Sequence, residues 1–389
     1  MRKSLIITFL LFFSYSARAQ EVSSLEVASG ILHRVFYDED GPWAINVVEV
    51  DLTDSNITIE SAVALNRLTG LQRTSSMANR RSRVGSWVAT AINADFFERN
   101  GVSINAQVQD GKILRMPSNH SIIGFYEDLS PFIEMPSYSG SVIAMHNRNR
   151  KIDAINQKRK ANQLVLFNRF YGDSAKTDSF GAEICFMPVE GWAVNDTFRI
   201  VVMCVDSTDR NHAIDARGGV LSGHGEARSW LLNETSLGDT LKLILSLTNS
   251  KKRVKEAVGG LPRIIRDGKT SIEGGSGFAD VRHPRTGTGF SQDGTRLFLF
   301  TVDGRQAGHS DGMTLYEMAD FMLGLGVYQG INLDGGGSTT MVIGSKVVNR
   351  PSDATGERPV ANALLVISKE RPDNRSNENS PRRREERKD

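Results

Sequence analysis

Leu297-Phe298-Leu299-Phe300-Thr301-Val302, then Thr314-Leu315-Tyr316-Glu317-Met318-Ala319-Asp320-Phe321-Met322-Leu323, then Val327-Tyr328-Gln329-Gly330-Ile331-Asn332-Leu333, decide how this chain is expected to fold. The first segment is an unbroken run of apolar character, as a strand covered on both faces requires. The second opens on a capping box, with Thr314 as N-cap and Glu317 at the third helical position. Leu315, Met318, Ala319, Met322 and Leu323 recur on one helical face, and Gly324 and Gly326 end the helix. The third reads as another strand. Strand, helix and strand predict a crossover with parallel strands, which is nearly always right-handed. Both carboxyl ends then meet one edge, so Asp303-Gly304-Arg305 and Asp334-Gly335-Gly336-Gly337 face one crevice, the usual ligand position in such layers. The expected class is α+β, with mixed β-sheets, packed helices and an active site at strand ends.

Working outward, short β-branched runs alternate with turn signals from Ile31 onward. Strands are expected at Ala44 to Val50, Ile57 to Val63 and Val88 to Ile92, and a helix at Thr74 to Arg81. A hairpin is expected from Ala106–Val108 and Lys112–Met116 across Asp110-Gly111, followed by Ser121 to Tyr126. Residues 131–250 carry apolar strands at Gln163–Phe167, Glu183–Met187, Phe198–Val205 and Leu241–Leu247, with no motif that carries chemistry.

The two ends differ from this body. Arg2 and Lys3, the apolar stretch Leu5 to Phe13 and Ala17-Arg18-Ala19 have the form of a cleavable leader, so export to the periplasm or beyond the cell is expected. No later segment has the length and apolarity of a membrane span. Lys369 to Asp389 is almost wholly polar and reads as a solvated charged tail. The expected organisation is a signal peptide over 1–19, a catalytic domain over 20–368 with a variable middle elaboration at 131–250, and a disordered tail at 369–389. A net charge of +2 gives no case for a nucleic-acid partner. Cys185 and Cys204 fit a disulfide or two buried thiols equally, and the sequence does not specify an oligomeric state.

Four clusters carry the chemistry. Asn93 and Asp95 follow a strand, Arg285-Thr286-Gly287-Thr288-Gly289 comes next, then Asp303-Gly304-Arg305 with His309-Ser310-Asp311-Gly312, and last the triple-glycine loop. Guanidinium groups bind phosphate through paired hydrogen bonds, and successive loop amides can form an anion nest. Carboxylates instead suit proton transfer, attack at carbon, sugar hydroxyls or a metal. Both chemistries together suit a substrate that joins a sugar to a phosphate.

In this order, Ala91-Ile92-Asn93-Ala94-Asp95-Phe96-Phe97, Pro284-Arg285-Thr286-Gly287-Thr288-Gly289, Val302-Asp303-Gly304-Arg305, Ser310-Asp311-Gly312-Met313-Thr314-Leu315 and Asn332-Leu333-Asp334-Gly335-Gly336-Gly337-Ser338-Thr339 resemble the phosphodiester glycosidase family. Asn349-Arg350-Pro351-Ser352 and Glu357-Arg358-Pro359 also resemble its ending. Ala94 and Asp95 stand where that family's first motif usually has two glycines. The resemblance implies hydrolysis of a sugar-1-phosphodiester at the anomeric carbon, releasing free sugar and a phosphomonoester. Under it Asp334, Asp303 and Asp95 are the expected catalytic carboxylates. Asn93, Arg285, Thr286, Arg305, Ser310, Gly335, Gly336, Gly337, Ser338 and Thr339 are the expected substrate contacts. No motif requires a cofactor, and a divalent cation is left open. The competing classes are a non-catalytic binder of anionic polysaccharide and a metal-dependent phosphodiesterase that cuts the P–O bond.

Plainer readings stand beside these. Asp303 could cap an Asp-Gly turn, Arg305 could be a surface ion pair, and Phe96 and Phe97 could be core. Gly308-His309-Ser310-Asp311-Gly312 has the letters of a nucleophile elbow, but Ser310 is expected inside a longer loop rather than at a sharp strand-to-helix turn. Asp267-Gly268-Lys269-Thr270 ends like a phosphate loop, yet Arg263 occupies a required glycine position.

Overall fold

The computed structural model describes residues 19–207, 212–272 and 277–370. The expected leader before Ala19 and the expected tail beyond Glu370 lie outside these residues. Among the described residues no helix is long and apolar enough to cross a membrane.

The chain is mostly β, which corrects the α+β expectation. Among the described residues strands form four sheets, against four α-helices of which the longest, Leu315–Gly324, has 10 residues. The sheets are also not mixed in the expected sense. Among the described residues every strand pairing is antiparallel except that of Ala154–Ile155 with Leu164–Asn168. The α+β expectation rests on one strand–helix–strand unit, whereas short runs broken by turns dominate the chain and favour hairpins.

The strand–helix–strand unit is present with one strand inserted. Arg296–Val302 and Gln329–Asn332 both pair antiparallel with Arg285–Phe290, which lies between them. The two outer strands are therefore parallel to each other without touching. Asp303 and Asp334 still leave the sheet at the same edge, and the first residue of the inserted strand, Arg285, stands opposite Val302 there.

Arg285-Thr286-Gly287-Thr288-Gly289 lies within this inserted strand despite its two glycines. These glycines serve close packing inside the sheet. A Cβ at Gly289 would lie 2.4 Å from the Gln329 carbonyl oxygen, and one at Gly287 would lie 1.9 Å from Met318 Cε.

The eight-stranded sheet that holds this unit is covered on both faces. Leu297 and Leu299 enter a core shared with Ile92, Ile123, Val258 and Leu364 from two five-stranded sheets. Phe298, Phe300 and Val302 pack on the opposite face against Met318, Ala319 and Met322 of the Leu315–Gly324 helix. The continuous apolar run thus has the expected cause. The capping box is formed: the Thr314 hydroxyl accepts from Glu317 N at 3.1 Å, and Thr314 N donates to the Glu317 carboxylate at 2.8 Å.

Strands from Ser139–Ile143 to Thr240–Ser246 build a second eight-stranded sheet, and the Glu226–Glu234 helix packs on it. Its core continues through Val108, Ile113, Ile122 and Val254 of a neighbouring five-stranded sheet. Cys185 and Cys204, on adjacent strands of this second sheet, are joined by a disulfide.

Candidate active site

At the shared sheet edge lies a cavity of about 210 Å³. Asp334 and Gly335 to Gly337 form one wall, Arg285, Arg305 and Arg358 supply three cations, and Phe96, Phe278 and His283 complete the lining. Three backbone bonds bring the distant segments together. Leu333 N donates to Thr286 O at 2.9 Å, Asp334 N to Ala94 O at 2.8 Å, and Gly336 N to Pro284 O at 2.8 Å.

Each glycine of the loop answers to a different neighbour. A Cβ on Gly335 would meet the Pro284 carbonyl at 2.6 Å, and one on Gly337 would meet the Arg358 guanidinium at 2.3 Å. Gly336 has φ +60° and faces Arg305, a backbone region that side chains occupy at a cost. The loop is therefore a place where two guanidinium groups reach backbone. It is less of an amide nest than expected: Gly336 N is taken by Pro284, Ser338 N by Gly335 O at 3.1 Å, and Thr339 N by Gly336 O at 3.3 Å.

Arg285 is buried, and its Nε and Nη2 donate to the carbonyls of Met313, Phe278 and Val281 at 2.7–2.9 Å. Its Nη1 has no acceptor among the described residues. Burial, with the Arg305 charge, pushes its pKa down to about 10, so it stays charged at neutral pH. Arg305 holds a left-handed backbone, φ +61°, an uncommon state that surrounding structure must enforce. One guanidinium nitrogen lies 3.2 Å from His283 Nδ1. Burial and the charges of Arg285 and Arg305 lower the His283 pKa, so the ring is neutral. Since a guanidinium only donates, Nδ1 accepts and the ring proton sits on Nε2.

Asp334 is the carboxylate that enters the cavity. Burial raises its pKa to about 6, against the opposing pull of the Ser338 hydroxyl, Arg358 and the Gly335 amide. The Ser338 hydroxyl favours the charged form by proximity, without a hydrogen bond of good geometry. Asp95 lies deeper and is wholly enclosed. Its two oxygens accept from Asn105 N at 2.8 Å and Asn105 Nδ2 at 2.6 Å. Burial raises it to about 7, outweighing these bonds, and the Asp334 charge adds to the rise. Gly259 is required beside it, since a Cβ there would lie 2.7 Å from the Asp95 carboxylate.

Other expected site residues are built into the walls. Asn93 Nδ2 donates to Asp334 O at 2.6 Å, and its Oδ1 accepts from Thr286 Oγ1 at 2.9 Å and Thr340 N at 3.0 Å. Asn93 and Thr286 thus brace the Asp334 backbone from below. Asp303 bonds His309 Nε2 at 2.9 Å, Asn349 Nδ2 at 3.1 Å and Arg350 N at 3.0 Å. Ser310 Oγ donates to Asp303 O at 2.6 Å and accepts from Ala44 N at 3.2 Å. Asp303 and Ser310 do not line the cavity; they fix the loop that presents Arg305. Ser338 and Thr339 are buried behind the glycines, and Thr339 Oγ1 has no hydrogen-bond partner among the described residues.

His283, Arg358 and Phe278 were not singled out from the sequence. Arg358 had a signal, because Glu357-Arg358-Pro359 lies in the family-like ending; Asp353 orients it through a 2.7 Å bond to Nε. His283 stands two residues before Arg285, with only Pro284 between. Phe278 had none. Phe96, expected mainly as core, lines the cavity, while Phe97 packs into a core cluster.

A β fold that brings a buried carboxylate among three arginines at a sheet edge makes this cavity the candidate site. Residues 194–367 match the family model described as phosphodiester glycosidase, so the resemblance carried by the motifs holds at the level of the family over that stretch. The mouse N-acetylglucosamine-1-phosphodiester alpha-N-acetylglucosaminidase is 41% identical over 78 residues, 20% of this chain and 14% of that protein. An uncharacterised SPbeta prophage-derived protein of Bacillus subtilis is 37% identical over 105 residues, 26% of this chain and 16% of that protein. The matches therefore span a small part of these relatives. The family and the mouse relative are named as glycosidases, a kind of hydrolase. A hypothetical protein from Synechocystis shares the fold, with TM-score 0.63 and 18% identity over 90% of this chain and 64% of that one.

Proposed function

We propose that this protein hydrolyses a sugar-1-phosphodiester at the anomeric carbon and releases free sugar and a phosphomonoester. The observation that carries the proposal is the convergence of Asp334 with Arg285, Arg305 and Arg358 on one cavity. Arg285 Nη1, Arg305 and Arg358 bind the phosphate and stabilise the phosphomonoester as it leaves with the electron pair of the broken C–O bond. Asp334, ionised above about pH 6, removes a proton from the attacking water or attacks the anomeric carbon itself. In the second case water later hydrolyses the glycosyl ester. Asp95, enclosed behind the pocket, holds Asn105 in place and is coupled to the charge of Asp334. Asp303 and Ser310 act as positioning residues for Arg305. Neutral His283 orients Arg305 and offers Nε2–H to a phosphate oxygen.

The leader-like first residues and the Cys185–Cys204 disulfide support an exported protein, periplasmic or secreted, because disulfides persist in oxidising compartments. Residues 20–368 are proposed as one catalytic unit, with 131–250 as its elaboration. The deciding experiment is turnover of a sugar-1-phosphodiester in oxygen-18 water. Label in the released sugar is the expected result. Label in the phosphate, with loss of activity on adding a chelator, would establish metal-dependent P–O cleavage instead. Retention of the ligand without turnover would establish a binder.

A further inference from the structure

Away from the arginine cavity, a cleft of about 690 Å³ opens between the second eight-stranded sheet and the neighbouring hairpin sheet. Lys112, Arg169, Arg199, Arg217, Arg253 and Lys255 line it, against the carboxylates Asp110, Glu127 and Glu190. Several of these charges pair. Asp110 serves both Lys112, at 3.3 Å, and Lys255. Glu190 bonds Arg199 Nε at 2.6 Å, and Arg253 bonds Asp196 at 2.6 Å. Neither the Arg169 nor the Arg217 guanidinium has an ion-pair partner among the described residues; Arg217 N donates to the Asp215 carboxylate at 2.8 Å. Arg169 instead stacks on Phe170, its Cζ 4.2 Å from the ring centroid. Burial lowers both Lys112 and Arg169, and the Asp110 carboxylate opposes the shift in each.

Trp192 forms part of the lining. Its Nε1 donates to Arg217 O at 2.8 Å, and its ring packs against Phe186 and Phe198 at 5.6 and 5.7 Å. The indole is therefore fixed in place before any ligand arrives.

We propose that this cleft is a second binding site, for an acidic glycan whose charged groups meet Arg169 and Arg217 while its sugar rings lie along Trp192. The mixture of charges favours a glycan over a nucleic acid. A nucleic acid brings closely spaced phosphates, which three carboxylates in the same cleft repel. A sparsely charged sugar chain brings hydroxyl groups, and those carboxylates retain lone pairs to accept from them. The inference does not depend on the hydrolytic reading, since Arg169 and Arg217 belong to neither the arginine cavity nor its walls.

The test is calorimetric titration of the full chain with a short, partly methyl-esterified oligogalacturonate, in which free acid groups are spaced by uncharged sugars. Its fully methyl-esterified form, inorganic phosphate and a single-stranded oligodeoxynucleotide are run beside it. The expected result is binding of the acid oligosaccharide, with weaker or undetectable binding of the full ester and of phosphate. The double variant Arg169→Ala/Arg217→Ala is expected to weaken it about tenfold or more, as loss of charge-assisted contacts predicts. The urea-unfolding midpoint of that variant stays near the parent's, which shows that it folds. Absence of oligogalacturonate binding, equal binding of the full ester or phosphate, tighter binding of the oligodeoxynucleotide, or an unaffected double variant would each overturn the proposal.

Discussion

Asp334 and Asp303 both follow apolar strands and both precede glycine, yet only one faces the cavity. Three neighbours occupy Asp303, whereas Asp334 gains a single hydroxyl, an arginine charge and an amide against heavy burial. A carboxylate lifted to about 6 is poised as a base near neutral pH. Asp334→Asn keeps the shape and removes the charge, and kcat is expected to fall about a thousandfold, within the usual range for an acid–base group. In the parent protein kcat/KM is expected to rise with pH through about 6 and level off, as Asp334 ionises. Activity of the Asn variant within a few-fold of the parent, or a flat pH profile between 4.5 and 7.5, would remove Asp334 from the chemical step. Asp303→Asn is expected to act differently, through a misplaced Arg305. It should raise KM for the phosphodiester while leaving the apparent pKa of kcat near that of the parent.

The strand Arg285–Phe290 shows at the level of elements what was legible and what was not. The helix Leu315–Gly324, its capping box and the doubly covered strand Arg296–Val302 could be read because each has a local signature: a side-chain cap, a spacing, an unbroken apolar run. The inserted strand has no such signature. Its two glycines carry low strand propensity, and their reason lies in other elements, the backbone of Gln329 and the side chain of Met318. The site followed the same rule. Asp334, Arg305 and the glycine loop could be read because they sit in local motifs, while His283 and Phe278 join the cavity only through tertiary packing. This predicts a contrast between two similar substitutions. Gly289→Ala presses a methyl group onto backbone and is expected to destabilise by about 3 kcal/mol or more, whereas Gly287→Ala meets a flexible Met318 tip and costs about 1 kcal/mol. Urea unfolding of both variants checks this, and equal midpoints would contradict the packing argument.

Across the whole molecule, the site's acidity is tied to stability. Asp95, raised to about 7, and Glu256, raised to about 8, are both fully enclosed, and burial is the leading cause in each. Glu256 accepts from Ser61 N and Asp110 N, both at 2.9 Å, so it joins the Ile57–Val63 strand to the hairpin turn that also borders the basic cleft. Their folded pKa values lie above the unfolded ones, so the folded state binds these protons more tightly. The stability this linkage supplies is full below the unfolded pKa near 4 and is lost as pH rises through about 7 and 8. His33 and His283, both lowered, work in the opposite sense, but their contribution ends above the unfolded histidine pKa near 6.5. Between pH 6.5 and 9 the buried carboxyls therefore dominate, and stability is expected to fall by on the order of a few kcal/mol. Glu256→Gln, close in shape to the protonated acid, should flatten the upper part of that fall and leave the lower part near pH 7, where Asp95 titrates. Urea midpoints measured in steps across this range test the linkage; midpoints that hold constant or rise toward pH 9 would show that these carboxyls are not protonated in the folded protein.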